Sequence, residues 1–315
     1  MAADNEKGMA LLLVLAIVAL LSALLIEFSY STLVELRSAE TFRDRAQAHY
    51  LARGGIEAAR IILQNDGNDY DHPSEFWGQP MSNVPVGDDG DVSLAISDLS
   101  GRMNINLVGD DRGNPLPGYH RFVALCEEVL LISYSEARVL ADALVNWFNS
   151  DLTVVTTDDS YYRSQSPPYS RRGAKLTALD ELLLVKGFDR ETVEALTPFV
   201  RTVGEEAINV NTASPEVLYA WQYAAAPGNL EIVLDRYDIE ALVDYRQMTP
   251  FTELADMADA EGIGQRWTTA WTQGSVAVRG EAFAVESLGR VNQGQRYAQA
   301  IVVKQGNVLH SLKVE

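Results

Sequence analysis

A single cysteine, Cys126, excludes an internal disulfide, and its place in the run Phe122-Val123-Ala124-Leu125-Cys126 reads as a small buried hydrophobe. Histidine is almost as scarce. His49, His72, His120 and His310 are scattered, with no H-E-x-x-H or other metal-ligand spacing, and neither a P-loop nor a G-x-S-x-G motif occurs. The acidic pairs Asp88-Asp89 and Asp110-Asp111 read as turns rather than as paired glycosidase carboxylates. These absences leave the chain without recognisable catalytic machinery, so it is read as a non-enzyme. Positive charge is also short, with 25 Lys and Arg against 44 Asp and Glu and a net charge of -19. Residues 1–26 carry -1, and five acids balance five arginines over residues 27–64, so residues 65–315 carry -18. A body this negative repels phosphate backbones, whose recognition depends on cationic contacts, so the charge argues against nucleic acid as a partner.

What the sequence does contain is concentrated at its start. Of 315 residues, Met9 to Ile26 form 18 without a charge, just enough for a helix to cross a bilayer core of about 30 Å. A cleavable secretory signal would have a shorter apolar region, a positive front end and a small-residue cleavage site. Here the front end carries Asp4, Glu6 and Lys7 before Gly8, and no A-x-A site follows. Beyond Ile26, Leu36, Ala39, Phe42, Ala46 and Tyr50 recur at spacings of three and four, on one helical face. The spacing predicts one helix from Met9 to about Leu63, roughly 80 Å long at about 1.5 Å per residue. Gly54-Gly55 is a soft spot in it, each glycine costing about 1 kcal/mol against alanine.

The polar leader ending in Lys7-Gly8 before this apolar helix resembles the class III signal of type IV pilins and pseudopilins. The resemblance implies that prepilin peptidase cuts between Gly8 and Met9 and that the new N-terminus is methylated. Most members carry a glutamate at the fifth mature position, which neutralises a neighbour's N-terminal amine inside the apolar filament core. That position here is Leu13. A subunit without the carboxylate suits the filament tip, since a buried charge needs a partner. Among type II secretion pseudopilins this departure is characteristic of the K family.

The rest of the chain reads as a soluble body. Residues 65–118 begin as a polar loop rich in Gly and Pro, followed by a strand alternating over Asp91–Ser97. Asp98-Leu99-Ser100-Gly101-Arg102-Met103-Asn104-Ile105-Asn106 resembles the D-x-S-G-x-x-N-x-N segment of the K pseudopilins; physically it is a turn followed by hydrogen-bonding asparagines. Helical periodicity then dominates residues 119–264. Phe122, Leu125, Val129 and Ile132 share one face, and Ala137, Leu140, Ala141, Leu144, Val145 and Phe148 another. Further helices are expected over Ala178–Lys186, Arg190–Val203, Pro215–Ala225 and Ile239–Gln247, with N-caps at Thr177 and Ser214. Residues 265–315 return to strands over Ser275–Gly280, Ala282–Arg290 and Tyr297–Val303, with hairpin turns at Gly294 and Gly306. The expected division is therefore a leader (1–8), a transmembrane and amphipathic helix (9–64), a loop and first strands (65–118), an inserted helical domain (119–264) and closing antiparallel strands (265–315). The fold class is α+β: by resemblance, a pseudopilin fold interrupted by a large all-α domain with SAM-like, helix-hairpin-helix repeats.

Two segments are candidate sites. Ile208-Asn209-Val210-Asn211-Thr212-Ala213-Ser214 and Gly262-Ile263-Gly264 are similar to the helix-hairpin-helix repeats of DNA-uptake proteins, whose hairpin amides hold phosphate. A membrane-tethered DNA-uptake protein is thus the alternative reading, opposed by the charge. The second, Asn146–Asp151 with Asp158-Asp159-Ser160-Tyr161-Tyr162, is an oxygen-rich loop of the kind that suits Ca²⁺. It resembles the calcium loop of the K family, with Asp151, Asp158 and Asp159 at the acidic places and Asn146 and Asn149 in place of carboxylates. Taken together, the resemblance implies a minor pseudopilin at the pseudopilus tip, anchored in the inner membrane by residues 9–26 with its body in the periplasm. Its expected partners are the minor pseudopilins I and J, other pseudopilins and prepilin peptidase.

Overall fold

The computed structural model describes residues 2–225, 232–272 and 274–315, with side chains from residue 8 onward. The leader charges Asp4, Glu6 and Lys7 therefore lie outside the described side chains, and Met1 outside the described residues. One unbroken helix, α1 (Ala2–Gln64), opens the chain and extends about 95 Å at 1.5 Å per residue. Among the described side chains, those from Gly8 to Glu40 are all exposed. From Asp44 onward one face turns inward, and Ala48, Ala52, Ile56, Ala59 and Leu63 are buried at spacings of three and four.

That face lies on an antiparallel sheet assembled from both ends of the body. After a short 3-10 turn at Phe76–Gly78, strands β1 (Met81–Val86) and β2 (Gly90–Asp98) form a hairpin. The chain then leaves the sheet. It runs through β3 (Met103–Asn104), α2 (Gly118–Leu130), α3 (Tyr134–Phe148), α4 (Asp159–Ser164), α5 (Arg190–Leu196), β4 (Val200–Arg201), β5 (Ile208–Asn209), α6 (Pro215–Ala220), α7 (Arg236–Met248), α8 (Trp267–Ala270) and β6 (Val276–Ala277). It returns as β7 (Ala282–Val291), β8 (Gly294–Val303) and β9 (Val308–Val314), giving the order β1-β2-β7-β8-β9. Strand β2 thus pairs with β7 along its length, from Gly90 opposite Val291 to Asp98 opposite Phe283, although residues 99–281 separate them. Leu94, Ile96, Phe283, Val285, Ala298, Ala300 and Val302 alternate toward α1 and close a first core with Ile56, Leu63 and Trp77.

The inserted region has its own core, built on Phe122, Leu125, Leu144, Phe148, Leu182, Trp221, Leu242, Phe251 and Trp271. It is helical but not all-α: β3 pairs with β4, and β5 with β6, both in parallel. The expected Ala178–Lys186 helix is a 3-10 segment, Leu179–Leu184, and the expected Arg190–Val203 helix stops at Leu196, two residues before Pro198. Ser214 caps α6, accepting from the Val217 amide at 3.3 Å, with Pro215 in the first turn. Thr177 does not cap in the expected sense; its amide and hydroxyl both donate to Glu181. Burial alone would raise the Glu181 pKa, but hydrogen bonds from Arg172 and Thr177 outweigh it and bring it down to about 2.

The two halves of the insertion repeat one plan. In the first, Asn104 Oδ1 accepts from the Asn106 amide, and the Asn106 side chain clasps the backbone of Leu176 through N–H and C=O, both at 2.8 Å. In the second, Asn209 Oδ1 accepts from the Asn211 amide, and Asn211 clasps Phe251 in the same way at 2.8 and 2.9 Å. A 3-10 segment follows each clasp, at Leu179–Leu184 and Leu254–Asp259, then a glycine of positive φ, Gly187 or Gly262.

Candidate assembly surface and the acidic loop

The largest exposed apolar surface is α1 itself. Every large hydrophobic side chain from Met9 to Ile26 is exposed, Leu13 at 61% among them, and this is the one helix among the described residues long and apolar enough to cross a membrane. The exposure continues beyond it: Leu36 and Tyr50 are exposed and Phe42 is 77% exposed. This predicted stripe faces away from the sheet, which takes the small-residue face instead. Gly8 and Met9 lie on the helix, with open space around the Gly8 Cα and an exposed Met9 side chain.

At the other end of α1 the insertion is bolted to the body through two buried aspartates. Asp98 accepts from the Ser100 amide at 2.7 Å, Asn209 Nδ2 at 2.8 Å and Thr212 Oγ1 at 2.7 Å. Asp71 accepts from the Gly280 amide at 2.8 Å and from Lys304 Nζ at 2.7 Å, while its backbone carbonyl takes Asn209 Nδ2 at 2.9 Å. Burial pushes the Asp71 pKa up to about 6, against the hydrogen bond from Lys304 and that from Gly280, which lower it. Ser100 Oγ receives the amides of Glu281 and Ala282, tying the chain's exit from the sheet to its return. Carboxylate oxygens of Asp66, Asp71 and Glu75 gather within 4.8 Å, but Lys304 already bridges Asp66 and Asp71 at 2.9 and 2.7 Å, a structural ion pair.

The acidic loop is organised around cationic side chains. Arg171, 3% exposed, sends its guanidinium into the loop's centre. Its Nη1 donates to Asp159 Oδ1 at 3.2 Å and to Thr156 Oγ1 at 3.3 Å; its Nη2 donates to the carbonyls of Asp151 at 2.6 Å and Val154 at 2.8 Å. Asp158 is engaged separately, by Lys186 Nζ at 2.6 Å and Asn146 Nδ2 at 2.9 Å. The Asp151 carboxylate accepts from Thr153, whose hydroxyl and then amide hold its pKa below the usual range. Among the described residues, no cluster of three His, Cys, Asp or Glu ligand atoms includes Asp151, Asp158 or Asp159. The residues present therefore do not fit a Ca²⁺ ion, which needs six to eight converging oxygens free of competing cations.

Comparison with known proteins is informative over nearly the whole chain. The family described as Type II secretion system (T2SS), protein K, matches residues 101–205. Type II secretion system protein K of Klebsiella pneumoniae is 28% identical over 313 residues, covering 96% of this chain and 94% of the relative. That of Pseudomonas aeruginosa is 27% identical over 328 residues, covering 96% and 95%. This chain is similar to type II secretion system protein K over nearly its whole length. A chain in the crystal structure of the GspK-GspI-GspJ complex from enterotoxigenic Escherichia coli shares its fold, with a TM-score of 0.61 at 19% identity, over 89% of this chain and 99% of that one.

The mixed architecture of helix and antiparallel sheet is shared with the solved structure, and none of these relatives supports the DNA-uptake alternative. The Gly262-Ile263-Gly264 hairpin has its own internal partner: Arg266 donates to the Gly262 carbonyl at 3.0 Å and to Asp238 at 2.7 and 2.8 Å. The side chains that sequence reasoning missed are Arg171 and Lys186. Their signal was two arginines, Arg171-Arg172, directly after Pro167-Pro168-Tyr169-Ser170, facing an acidic loop with few other cations nearby in sequence.

Proposed function

We propose that this chain is a minor pseudopilin of the tip, assembling with minor pseudopilins I and J to initiate and cap the type II secretion pseudopilus. The observation that carries the reading is the division of α1. One face of its second half is docked on the sheet, whereas residues 9–26 and the stripe from Leu36 to Tyr50 remain exposed on a single rigid rod. Apolar surface of this extent in a folded protein marks a membrane or a partner. The first stretch would lie in the inner membrane, leaving the body in the periplasm; the second would pack against helices of I and J. The structurally similar K protein from Escherichia coli is itself in complex with its own I and J proteins.

Prepilin peptidase would release residues 1–8 at the Gly8–Met9 bond, and methylation of Met9 would follow. Leu13 would keep the chain out of the filament interior, because without a carboxylate there it cannot neutralise a neighbour's N-terminal amine in an apolar core. No reaction is assigned to the chain; its work is assembly. The test is co-expression with the cognate I and J proteins, followed by affinity purification of the full chain from detergent-solubilised membranes. Copurification of both at near-equal amounts is expected, and its loss on Phe42→Arg would localise the contact. Recovery of the chain alone, with an N-terminus still carrying residues 1–8, would refute the reading.

A further inference from the structure

The oxygen cage of residues 151–159 offers donors of the kinds a calcium ion takes, two backbone carbonyls, a hydroxyl and a carboxylate, gathered around the two terminal nitrogens of one guanidinium. We infer that in this chain Arg171 has taken over the work of a bound calcium ion, so that the acidic loop is closed by a covalently attached cation and needs no metal. A planar guanidinium offers five donors in a fixed fork, enough to satisfy several hard oxygens at once. Four of those donors lie on Nη1 and Nη2, and the oxygens of Asp151, Val154, Thr156 and Asp159 surround them. Nε has no partner, as expected of a group entering the cage end-on.

The exchange is consistent in charge. Asn146 and Asn149 are amides and contribute no carboxylate to the loop. A divalent ion is best held by several carboxylates, whereas one Arg needs only one, and Asp159 supplies it in a pair at 3.2 Å with both side chains largely buried. The neighbouring carboxylate, Asp158, is neutralised by a second attached cation, Lys186, at 2.6 Å. Asn146, an amide, donates to Asp158 at 2.9 Å instead of competing for metal. The anchoring also crosses the loop: Arg171 follows the cis Ser166-Pro167 bond and Tyr169, whose N–H donates to the Tyr162 carbonyl at 3.2 Å, so the guanidinium ties the strandless return segment back over α4.

The experiment uses the full chain in detergent micelles, stripped with EDTA and then supplied with millimolar Ca²⁺, with thermal unfolding followed by tryptophan fluorescence and bound calcium measured by elemental analysis. Melting temperatures with and without Ca²⁺ should agree to within about 1 °C, and calcium should be far below one equivalent. A ligand present at a hundred times its dissociation constant would raise the melting temperature by on the order of 5 °C; a rise of that size in the unmodified chain overturns the inference, as does one tightly held equivalent of calcium. Arg171→Ala should lower the melting temperature by several degrees, and Arg171→Lys, which keeps charge but loses the fork, should recover only part of it. An Arg171→Ala chain as stable as the parent would equally overturn it. If that variant does not fold, amide hydrogen exchange over residues 149–172 of the unmodified chain decides: added protection with Ca²⁺ refutes the inference, and unchanged exchange upholds it. None of these readouts depends on whether the chain meets I and J.

Discussion

At the scale of single residues, the asparagines of the two Asn-x-Asn segments carry more of the structure than their number suggests. Asn106 is 8% exposed, and its amide nitrogen donates to both Leu176 O and Thr202 O at 2.8 Å while its oxygen takes the Leu176 amide. That these residues hydrogen-bond was legible in the sequence, since Asn after a Ser-Gly turn favours side-chain to backbone bonding. Their partners were not, because they lie 70 and 96 residues away and no local pattern encodes them. The same limit hid Lys186, 28 residues from Asp158, and left the Arg171-Arg172 pair without a visible partner until the fold brought the acidic loop to it. Asn106→Ala removes three hydrogen bonds and leaves buried backbone groups of Leu176 and Thr202 without partners. Each such orphan costs about 1 to 3 kcal/mol, so a loss of roughly 3 kcal/mol is expected in chemical unfolding of the body. A variant with an unchanged midpoint would show that water replaces the amide and that the clasp is dispensable.

At the scale of elements, the length of α1 was legible and its docking face was not. Periodicity weighted by large apolar residues selects Leu36, Phe42 and Tyr50, whereas the sheet takes Ala48, Ala52, Gly55, Ile56 and Ala59. Small residues carry little hydropathy, and what they supply is closeness. A Cβ on Gly55 would stand 2.1 Å from Ser287 Oγ, so the glycine read as a soft spot is a contact point. Strand β1 was missed for a related reason: as an edge strand it is exposed almost throughout and carries Pro85, which only an edge tolerates. The turn expected at Gly294 is made by Asn292, at φ 49°, and Gly294 opens β8. The helix–sheet contact makes a sharp prediction at Gly289, where a Cβ would meet Ala48 O at 2.4 Å and Ala52 N at 2.6 Å, both backbone atoms that cannot swing away. Gly289→Val improves strand propensity and yet should destabilise the body by about 2 to 3 kcal/mol through overpacking. Limited trypsin digestion should then cut at Arg53 and Arg60, which the docked helix protects; an intact helix in the variant would mean that α1 and the sheet are not in such close register.

At the scale of the whole molecule, the two ends of α1 have opposite roles. Residues 9–26 are bare, while the last turns meet Asn307 through Arg60, and the following loop meets the insertion through Asp71 and Arg279. The bulk of the chain thus stands beyond the end of the rod farthest from the apolar segment, where it would obstruct a subunit arriving above. Because Asp98 and Phe283 are paired neighbours on β2 and β7, the insertion can be excised without breaking the sheet. Replacing residues 99–282 by Asn-Gly, a two-residue turn suited to an antiparallel hairpin, joins Asp98 directly to its partner Phe283. Asp71 keeps its ion pair with Lys304, and Asp98, whose donors Ser100, Asn209 and Thr212 leave with the insertion, comes to stand beside the new turn, where water can solvate it. If the insertion is the cap, the shortened chain should still copurify with I and J through α1, and pseudopili assembled with it should be longer than those of the parent. Pseudopili of unchanged length, on a shortened chain that folds and binds both partners, would assign the limit on growth to the rod rather than to the mass at its end.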